Sequence, residues 1–467
     1  MSCQLIDVNG QVGAKVKYLG KDETFTATQL IAMFLGKVKA TASADTNLPV
    51  SDIVIAVPSW FTDAQRRSIL DAAEIAGLKI LRLINESTAI ALGYGIVKIG
   101  LPEDKPSKVA FVDVGHSNLT CSIVALKKGQ LSVLSTASDS HFGGRDFDKA
   151  LMDHFCKEFK EKYRIDVRSN PKATFRLAAA AEKLKKILSA NSQAPLNIES
   201  LMNDIDVRSQ LSREELEGLM TDLLKRTTRP LEEALAAAGL KPEDIDVVEV
   251  VGGSSRIPAL KEKLSTFFGK PLSFTLNADE AIARGCAFAC AILSPNFRVR
   301  DFVIQDICNY PIQMAWEKSV DVPDEDADLD IFERGNRLPS TKVLTFYRKS
   351  DFSITAQYKD PDLLPSKVSP WLGSFHVKGV RPPGKGPDDF CVCKVRVRLN
   401  LHGIITVPDG WYVQMQEVEV EKPIEPEPKD KDVSAFLKSA SSKVKGFFEK
   451  KQKDEKPNVS SPSSCSL

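Results

Sequence analysis

The chain has 467 residues, 43% of them hydrophobic, which is enough for roughly two or three domain cores and excludes wholesale disorder. Lys and Arg number 63 against 62 Asp and Glu, so no global charge pulls the chain toward nucleic acid or a membrane surface. The nine cysteines are scattered without a C-x-x-C spacing, which argues against a disulfide or zinc framework and for a reducing compartment. A cytoplasmic location is expected, with the nucleus left open.

Met1 is followed by SCQLIDVNGQ, which lacks the apolar core of a secretory signal. No apolar run reaches the roughly 18 residues of a membrane span. Residues 5–19 alternate and predict a hairpin around Asn9-Gly10. Phe25-Thr26 leads a predicted helix through Val38, with Leu30, Ile31, Phe34, Leu35 and Val38 on one stripe. Ile53 to Val57, closed by Pro58, reads as a buried strand. Thr62-Asp63-Ala64-Gln65 is a capping box for a helix that stops near Gly77. Ile80 to Ile84 is the next strand, and Asn85-Glu86-Ser87 opens a helix to about Val97. This β-α-β-α rhythm predicts a largely parallel sheet with helices on both faces. Ligands bind at the carboxyl ends of such strands, where Glu86 and Asp113 both fall.

The stretch Val109 to Leu126, VAFVDVGHSNLTCSIVAL, reads as a strand, a tight polar turn and a returning strand. A buried strand ending in Asp and then Gly holds a carboxylate and open backbone N–H groups at one point, as a phosphate with its Mg²⁺ requires. The same pattern describes ordinary hairpins, and taken alone that is the simpler reading. A second hairpin is predicted at Leu131 to Ala137, leading to Phe142-Gly143-Gly144-Arg145-Asp146-Phe147-Asp148. A Gly pair before a helix lets backbone amides approach an anion. Taken alone, a plain turn before a helix is the simpler reading.

A long helical region is predicted from about Asp148 to Leu240, interrupted near Asn170-Pro171, Asn191 to Pro195, and Ser209. Within it, Leu177, Ala181, Leu184 and Leu188 form an apolar face, while Glu182, Lys185, Lys186 and Ser189 share the polar one. That polar set is either a solvated face or a carboxylate, two ammoniums and a hydroxyl aimed at one polar ligand. Val247 to Val251 is a further buried strand, followed by Gly252-Gly253-Ser254-Ser255-Arg256 and a helix with Pro258 near its first turn. Two glycine loops separated by a helical insert fit a cleft between two lobes. Asn277-Ala278-Asp279-Glu280-Ala281 then caps a helix to about Leu293.

These segments resemble the seventy-kilodalton heat-shock chaperone family, and more closely its hundred-and-ten-kilodalton branch. The resemblance rests on IAVPSWFTDAQRRSILDAAEIAGLKILRLINESTAIALGYGI, VAFVDVGHSNLTCSIVALKKGQL, HFGGRDFD, AAEKLKKILSAN, SQLSREELE, VEVVGGSSRIPALKEKL and LNADEAIARGCAFACAILSP, in the family's order. It implies an actin-like ATPase fold of two lobes with ATP or ADP and Mg²⁺ between them. Carried over, Asp113 would hold Mg²⁺ through water, with Glu86 facing the same water shell. Gly115, His116, Ser117 and Asn118 would form the second phosphate loop, and Gly143 and Gly144 would lie beside the phosphates. Glu182, Lys185, Lys186 and Ser189 would contact adenine and ribose. Gly252, Gly253, Ser254, Arg256 and Asp279 would complete the adenosine pocket.

Two departures shape the expected activity. Hydrolysing members read Gly-Gly-Gly-Thr followed by Phe and Asp, whereas this loop reads Gly115-His116-Ser117-Asn118-Leu119-Thr120. An amide replaces a hydroxyl and a hydroxyl replaces a carboxylate, which weakens water positioning and charge support for Mg²⁺. The family's first strand, first phosphate loop and Lys are also expected to be missing, from a shortened isoform or an incomplete gene model, leaving one phosphate clamp.

From Phe297 to Val420 the period changes to two. Thr341 to Tyr347, Phe352 to Tyr358, Phe375 to Val380 and Cys391 to Leu401 predict strands of a β-sandwich. In the last, Cys393, Val395, Val397, Leu399 and Leu401 face inward, while Lys394, Arg396, Arg398 and Asn400 face out. Cys391 and Cys393 share a face and are expected to pack rather than bind metal. The resemblance puts a peptide-binding β-domain here, with Asp306 to Lys318 at its start.

The predicted domains are an incomplete actin-like ATPase domain at 1–294 and a β-sandwich at 295–422. A charged linker at 423–432, an amphipathic helix at 433–452 and a disordered tail at 453–467 follow. The helix carries Val433, Phe436, Leu437, Ala440, Val444, Phe447 and Phe448 on one stripe, and packing on its own β-domain is preferred over a membrane surface. The expected function is a non-enzymatic co-chaperone that exchanges nucleotide on the smaller heat-shock chaperone and holds unfolded polypeptides. An ATP-hydrolysing chaperone, and a shortened chain with only polypeptide affinity, are the alternatives.

Overall fold

The computed structural model describes residues 4–295, 297–319, 326–365, 368–384, 386, 389–414, 453–455 and 459–460. The predicted linker and amphipathic helix lie outside these residues. Among the described residues no helix is long and apolar enough to cross a membrane.

The chain opens with a three-stranded antiparallel sheet, β1 (Gln4–Val8), β2 (Gln11–Tyr18) and β3 (Lys21–Thr26). Asn9 and Gly10 make the first turn, both at positive φ. The third strand goes beyond the predicted hairpin: its exposed polar residues Lys21 to Thr24 carry no apolar period. Thr26 and Gln29 form a capping box for α1 (Ala27–Thr46), which runs eight residues past Val38 to an αL cap at Asn47. β4 (Asp52–Val57), α2 (Asp63–Ile75) and β5 (Lys79–Asn85) form a parallel βαβ unit, and α3 (Glu86–Val97) follows directly.

The main sheet is mixed rather than largely parallel. β6 (Ser107–Val114), β7 (Leu119–Lys127) and β8 (Gln130–Asp139) form an antiparallel meander, because two- and four-residue turns join them and a parallel pair needs a long crossover. The stretch Leu131 to Ala137 is therefore part of one strand, not a hairpin. α4 (Gly144–Tyr163) and α5 (Pro171–Ala190) follow. The region read as an interrupted helix then contains a hairpin, β9 (Gln193–Met202) and β10 (Ile205–Ser212). Its turn places Asn203 and Asp204 at positive φ, and Ala194, Leu196 and Ile198 alternate inward. α6 (Arg213–Leu219), α7 (Thr221–Lys225) and α8 (Arg229–Ala238) lead to β11 (Val247–Val251), which joins the sheet parallel to β6. α9 (Pro258–Phe268) and α10 (Ala281–Leu293) complete this part.

Strand alternation on β6 explains the two-sided core. Ala110, Val112 and Val114 face a cluster that includes Phe147, Phe155, Leu177 and Leu184 of α4 and α5. Val109 and Phe111 face the opposite cluster, with Ile90 and Tyr94 of α3 and Ala289 of α10. Both faces of the sheet are thus covered, so polar groups converge at its loops.

β12 (Val303–Ile307) extends this sheet beside β8 and leads into the sandwich. β13 (Ile312–Trp316), β14 (Asp328–Phe332), β17 (Phe352–Tyr358) and β18 (Trp371–Val377) form one layer, in the order β14-β13-β17-β18. After β15 (Arg337–Leu338), which pairs with β12, the second layer holds β16 (Ser340–Arg348), β19 (Cys391–Leu399) and β20 (Ile405–Gln414). Met314, Phe332, Ile354, Phe375, Val395 and Val397 fill the space between the layers. Cys391 and Cys393 are buried free thiols with Sγ atoms 3.7 Å apart. No candidate metal cluster occurs among the described residues. Leu401 lies past the strand in the turn and is half-buried. The tail expected to be disordered contributes two short strands, β21 (Lys453–Glu455) on β20 and β22 (Val459–Ser460) on β18.

Candidate functional site

Asp113 stands near the end of β6, and the four residues after that strand turn back into β7. The Gly115 amide donates to the Asn118 carbonyl at 3.1 Å, closing the turn. The loop is then held from two sides. Gly144 N–H donates to Gly115 O at 3.0 Å and Arg145 N–H to His116 O at 2.9 Å, while Ser254 Oγ donates to Gly115 O at 2.8 Å. The two glycine loops predicted from opposite parts of the chain therefore meet on the β6–β7 turn. A Cβ on Gly143 would lie 2.5 Å from His116 O, and one on Gly252 would lie 2.4 Å from both Asp113 Oδ1 and Val114 O. No side chain fits between these backbones.

A cleft of about 550 Å³ opens beside this junction. His116, Gly144, Glu182, Lys185, Lys186, Ser189, Gly253, Ser254, Arg256 and Asp279 line it, all expected from the sequence, together with Ile257. Glu86, Asp113, Gly115, Ser117, Asn118, Gly143 and Gly252 are outside its lining and stand at the β6–β7 turn or behind it. The four-residue face of α5 is divided in role. Lys186 pairs with Glu182 at 2.7 Å in the open, whereas Lys185 is buried, pairs with Asp148 at 2.7 Å and donates to Gly144 O at 3.0 Å. Ser189 Oγ donates to the Lys185 carbonyl of its own helix at 3.0 Å. Arg256 and Asp279 form an exposed 2.7 Å pair at the rim. The sequence alone assigns Asp148 no part in the site. Its place one turn into α4 is what aims it at Lys185.

Burial without a neighbouring cation governs the two acidic groups. The Glu86 carboxyl is pushed up to about 7, first by burial and then by the Asp113 carboxylate. Burial pushes Asp113 up to about 6. Two adjacent carboxyls held this way are a fitting oxygen donor set for Mg²⁺. Both folded values exceed the unfolded ones, so keeping the groups charged costs stability above about pH 7, and that cost is relieved as pH falls through the folded values. For Glu86 the cost at pH 8 is of order 3 kcal/mol. In chelator, the melting temperature is expected to rise from pH 8 to pH 6. The stabilisation added by Mg²⁺ with ADP is expected to shrink over the same interval, because protons compete with the cation. Thermal melts at both pH values check both signs.

The loop's substituted positions are engaged with one another. Asn118 Nδ2 donates to Thr120 Oγ1 at 3.2 Å, and Thr120 Oγ1 lies 3.1 Å from Ser138 Oγ. Asn118 Oδ1 accepts from Ser117 Oγ at 3.3 Å. These groups knit β7 to β8 and hold the turn.

Sequence reasoning missed a polar junction that begins one residue before Glu86. Asn85 Nδ2 donates to Asp306 Oδ1 at 3.0 Å, and Arg66 Nη2 donates to Asn85 Oδ1 at 2.7 Å. Arg82 lies 3.7 Å from the other Asp306 oxygen. From the sandwich side, His402 O accepts from Arg66 Nη1 at 3.2 Å, His402 Nδ1 accepts from Leu83 N–H at 3.1 Å, and Tyr358 OH accepts from Asp63 N–H at 2.8 Å. Asp63, Arg66, Arg82 and Asp306 are all buried, with two charges of each sign. Asp63 and Arg66 on α2, Arg82 on β5 and Asp306 on β12 come from three separate parts of the chain, and a single sequence gives no local sign that they meet.

A mixed sheet covered on both faces, a polar cleft beside its loops and an attached β-sandwich are consistent with an actin-like ATPase domain joined to a β-sandwich. The family model described as Hsp70 protein matches residues 1–462, and the chain belongs to the Hsp70 family, in its large branch. It is 58% identical to "Heat shock protein hsp88" of Neurospora crassa, over 98% of this chain and 64% of that protein. It is 50% identical to a "Heat shock protein homolog" of Saccharomyces cerevisiae, over 93% of this chain and 62% of the relative. "Heat shock 70 kDa protein 4" of Rattus norvegicus is 48% identical over 89% of this chain and 49% of its own length. The chain thus spans less than two thirds of these relatives.

Proposed function

We propose that this chain is an ATP- and ADP-binding co-chaperone that acts as a nucleotide exchange factor for the smaller heat-shock chaperone and holds unfolded polypeptides. The observation that carries the reading is the meeting of both glycine loops on the β6–β7 turn, beside a 550 Å³ cleft lined by the α5 polar face. Glu182, Lys186, Ser189, Arg256 and Asp279 take the nucleoside. Gly115 to Asn118 form the phosphate loop, held in shape by Gly144 and Ser254, with Gly143 and Gly253 beside it. Gly252 lets β11 approach Asp113, and Lys185 is kept in place by Asp148. Bound Mg²⁺ supplies charge neutralisation for the phosphates, with Asp113 and Glu86 as its acidic neighbours.

The nucleotide part comprises residues 1–294 and the polypeptide-holding part 295–422. Glu86 at one end of the Asn85 junction and Asp306 at the other give nucleotide binding a short physical route to the sandwich. Nucleotide then serves as a clamp on lobe arrangement rather than a fuel. Asn118 and Thr120 bond to one another instead of presenting a free hydroxyl and a carboxylate, which supports binding without turnover. The free thiols fit a reducing, cytoplasmic setting.

The test is a pair of measurements on the purified chain. ADP with Mg²⁺ is expected to bind saturably, and ATP is expected to persist in a multiple-turnover assay. Hydrolysis at the rate of a hydrolysing family member overturns the co-chaperone reading in favour of the enzyme. Absence of any nucleotide binding overturns the site assignment.

A further inference from the structure

The strand β11 reads Val-Val-Glu-Val-Val, and its central Glu249 has no exposed surface. On the same face, Val247 and Val251 pack into the apolar cluster of α3 and α10. A carboxyl in such a layer is costly unless its oxygens are used. One oxygen is used three times. Glu249 Oε1 accepts from Thr275 N–H at 2.6 Å, Leu276 N–H at 2.9 Å and Thr275 Oγ1 at 3.0 Å. Oε2 has no hydrogen-bond partner among the described residues.

The location explains the need. β11 is the edge of the main sheet, and among the described residues no further strand pairs with it there. A single parallel bridge, Glu249 with Ser273, attaches the following segment through Val250 N–H to Ser273 O at 2.9 Å and Ser273 N–H to Val248 O at 2.8 Å. Beyond Ser273 the segment leaves the ladder, and the Glu249 side chain takes over by gripping the next amides. A few residues later the same segment forms the cleft wall. Ala278 O accepts from Gly252 N–H at 3.2 Å, Asn277 Oδ1 accepts from Asp279 N–H at 3.0 Å, and Asp279 pairs with Arg256.

We propose that Glu249 is a positioning residue for nucleotide binding: it substitutes for a missing strand and fixes residues 275–279, and through them Asp279 and the Gly252 backbone, against the cleft. The inference rests on the reading that this cleft takes an adenine nucleotide. It adds a residue that touches no ligand and acts through the wall it holds.

Three substitutions in the full chain separate the roles of Glu249. Glu249→Gln keeps an acceptor for the three donors. Glu249→Leu keeps volume and removes every acceptor. Glu249→Asp keeps a carboxyl but withdraws it by one methylene, and it carries the comparison if the Leu variant yields no folded protein. Fluorescent ADP with Mg²⁺ is titrated into each, and amide exchange is followed at Thr275 and Leu276. The Gln variant is expected within about threefold of wild type, and the Leu and Asp variants about tenfold weaker or more. Exchange at those two amides should quicken in the Leu and Asp variants and not in the Gln variant. A purely structural Glu249 would lower the melting temperature without this split. Wild-type ADP affinity in the Asp variant, or a Gln variant as weak as Asp, overturns the inference alone. Wild type that takes no ADP overturns the inference and the cleft reading together.

Discussion

Gly252→Asp is expected to abolish nucleotide-dependent protection from proteolysis, with an ADP affinity loss of about 100-fold or more. Gly252 sits at φ +85°, in the region that L side chains rarely adopt, and its Cβ would fall 2.4 Å from the Asp113 carboxylate and from the Val114 carbonyl. The backbone strain alone costs about 1–2 kcal/mol. The larger effect is local: β11 must move away from β6, and a third carboxyl is added where burial has already pushed two carboxyls upward. Asp113→Ala tests the same place without the clash and should also remove the protection. Limited proteolysis with and without ADP and Mg²⁺ reads both. Protection that survives both substitutions contradicts the assignment of this junction as the phosphate site.

The second large effect is on stability. Gly285 of α10 lies against α3, and a Cβ there would be 1.9 Å from Ala89 O and 2.5 Å from the Ala89 carbonyl carbon. Those are backbone atoms in the first turn of the buried helix α3, so no flexible side chain can yield. Gly285→Val is expected to destabilise the chain by about 3 kcal/mol or more, the upper range for overpacking. Because α3 begins at Glu86 and follows Asn85, separation of α3 from α10 should also weaken ADP binding. Denaturant titration with ADP affinity measured in parallel checks the pair. A stable Gly285→Val protein with unchanged affinity contradicts the tight α3–α10 packing.

The parts of the site that are legible from sequence are those where local chemistry and period coincide. The β6–β7 hairpin is readable because apolar runs flank a short polar turn. The α5 face is readable because Glu182, Lys185, Lys186 and Ser189 obey helical spacing, and ten expected residues do line one cleft. The parts that are not legible depend on partners distant in the chain. The β9–β10 hairpin is the local exception: Ala194, Leu196 and Ile198 do alternate, but over a run too short to stand out between the helices on either side. The expected parallel sheet fails because the β-α-β-α rhythm of residues 53–97 does not extend to strands joined by tight turns. Asp63, Arg66, Arg82 and Asp306 carry no local sign that the sandwich will bury them. Glu249 does carry one: a carboxyl at the centre of Val-Val-Glu-Val-Val breaks an apolar strand, and such a break marks a used group.

Stopped-flow release of labelled ADP from a smaller Hsp70-family chaperone, with and without this chain, tests the central claim most directly. Acceleration of about tenfold or more is predicted, within the usual range of coupling between sites, together with its loss in Gly252→Asp. An unchanged release rate with the wild-type chain contradicts the exchange-factor reading and leaves polypeptide holding as the activity that remains.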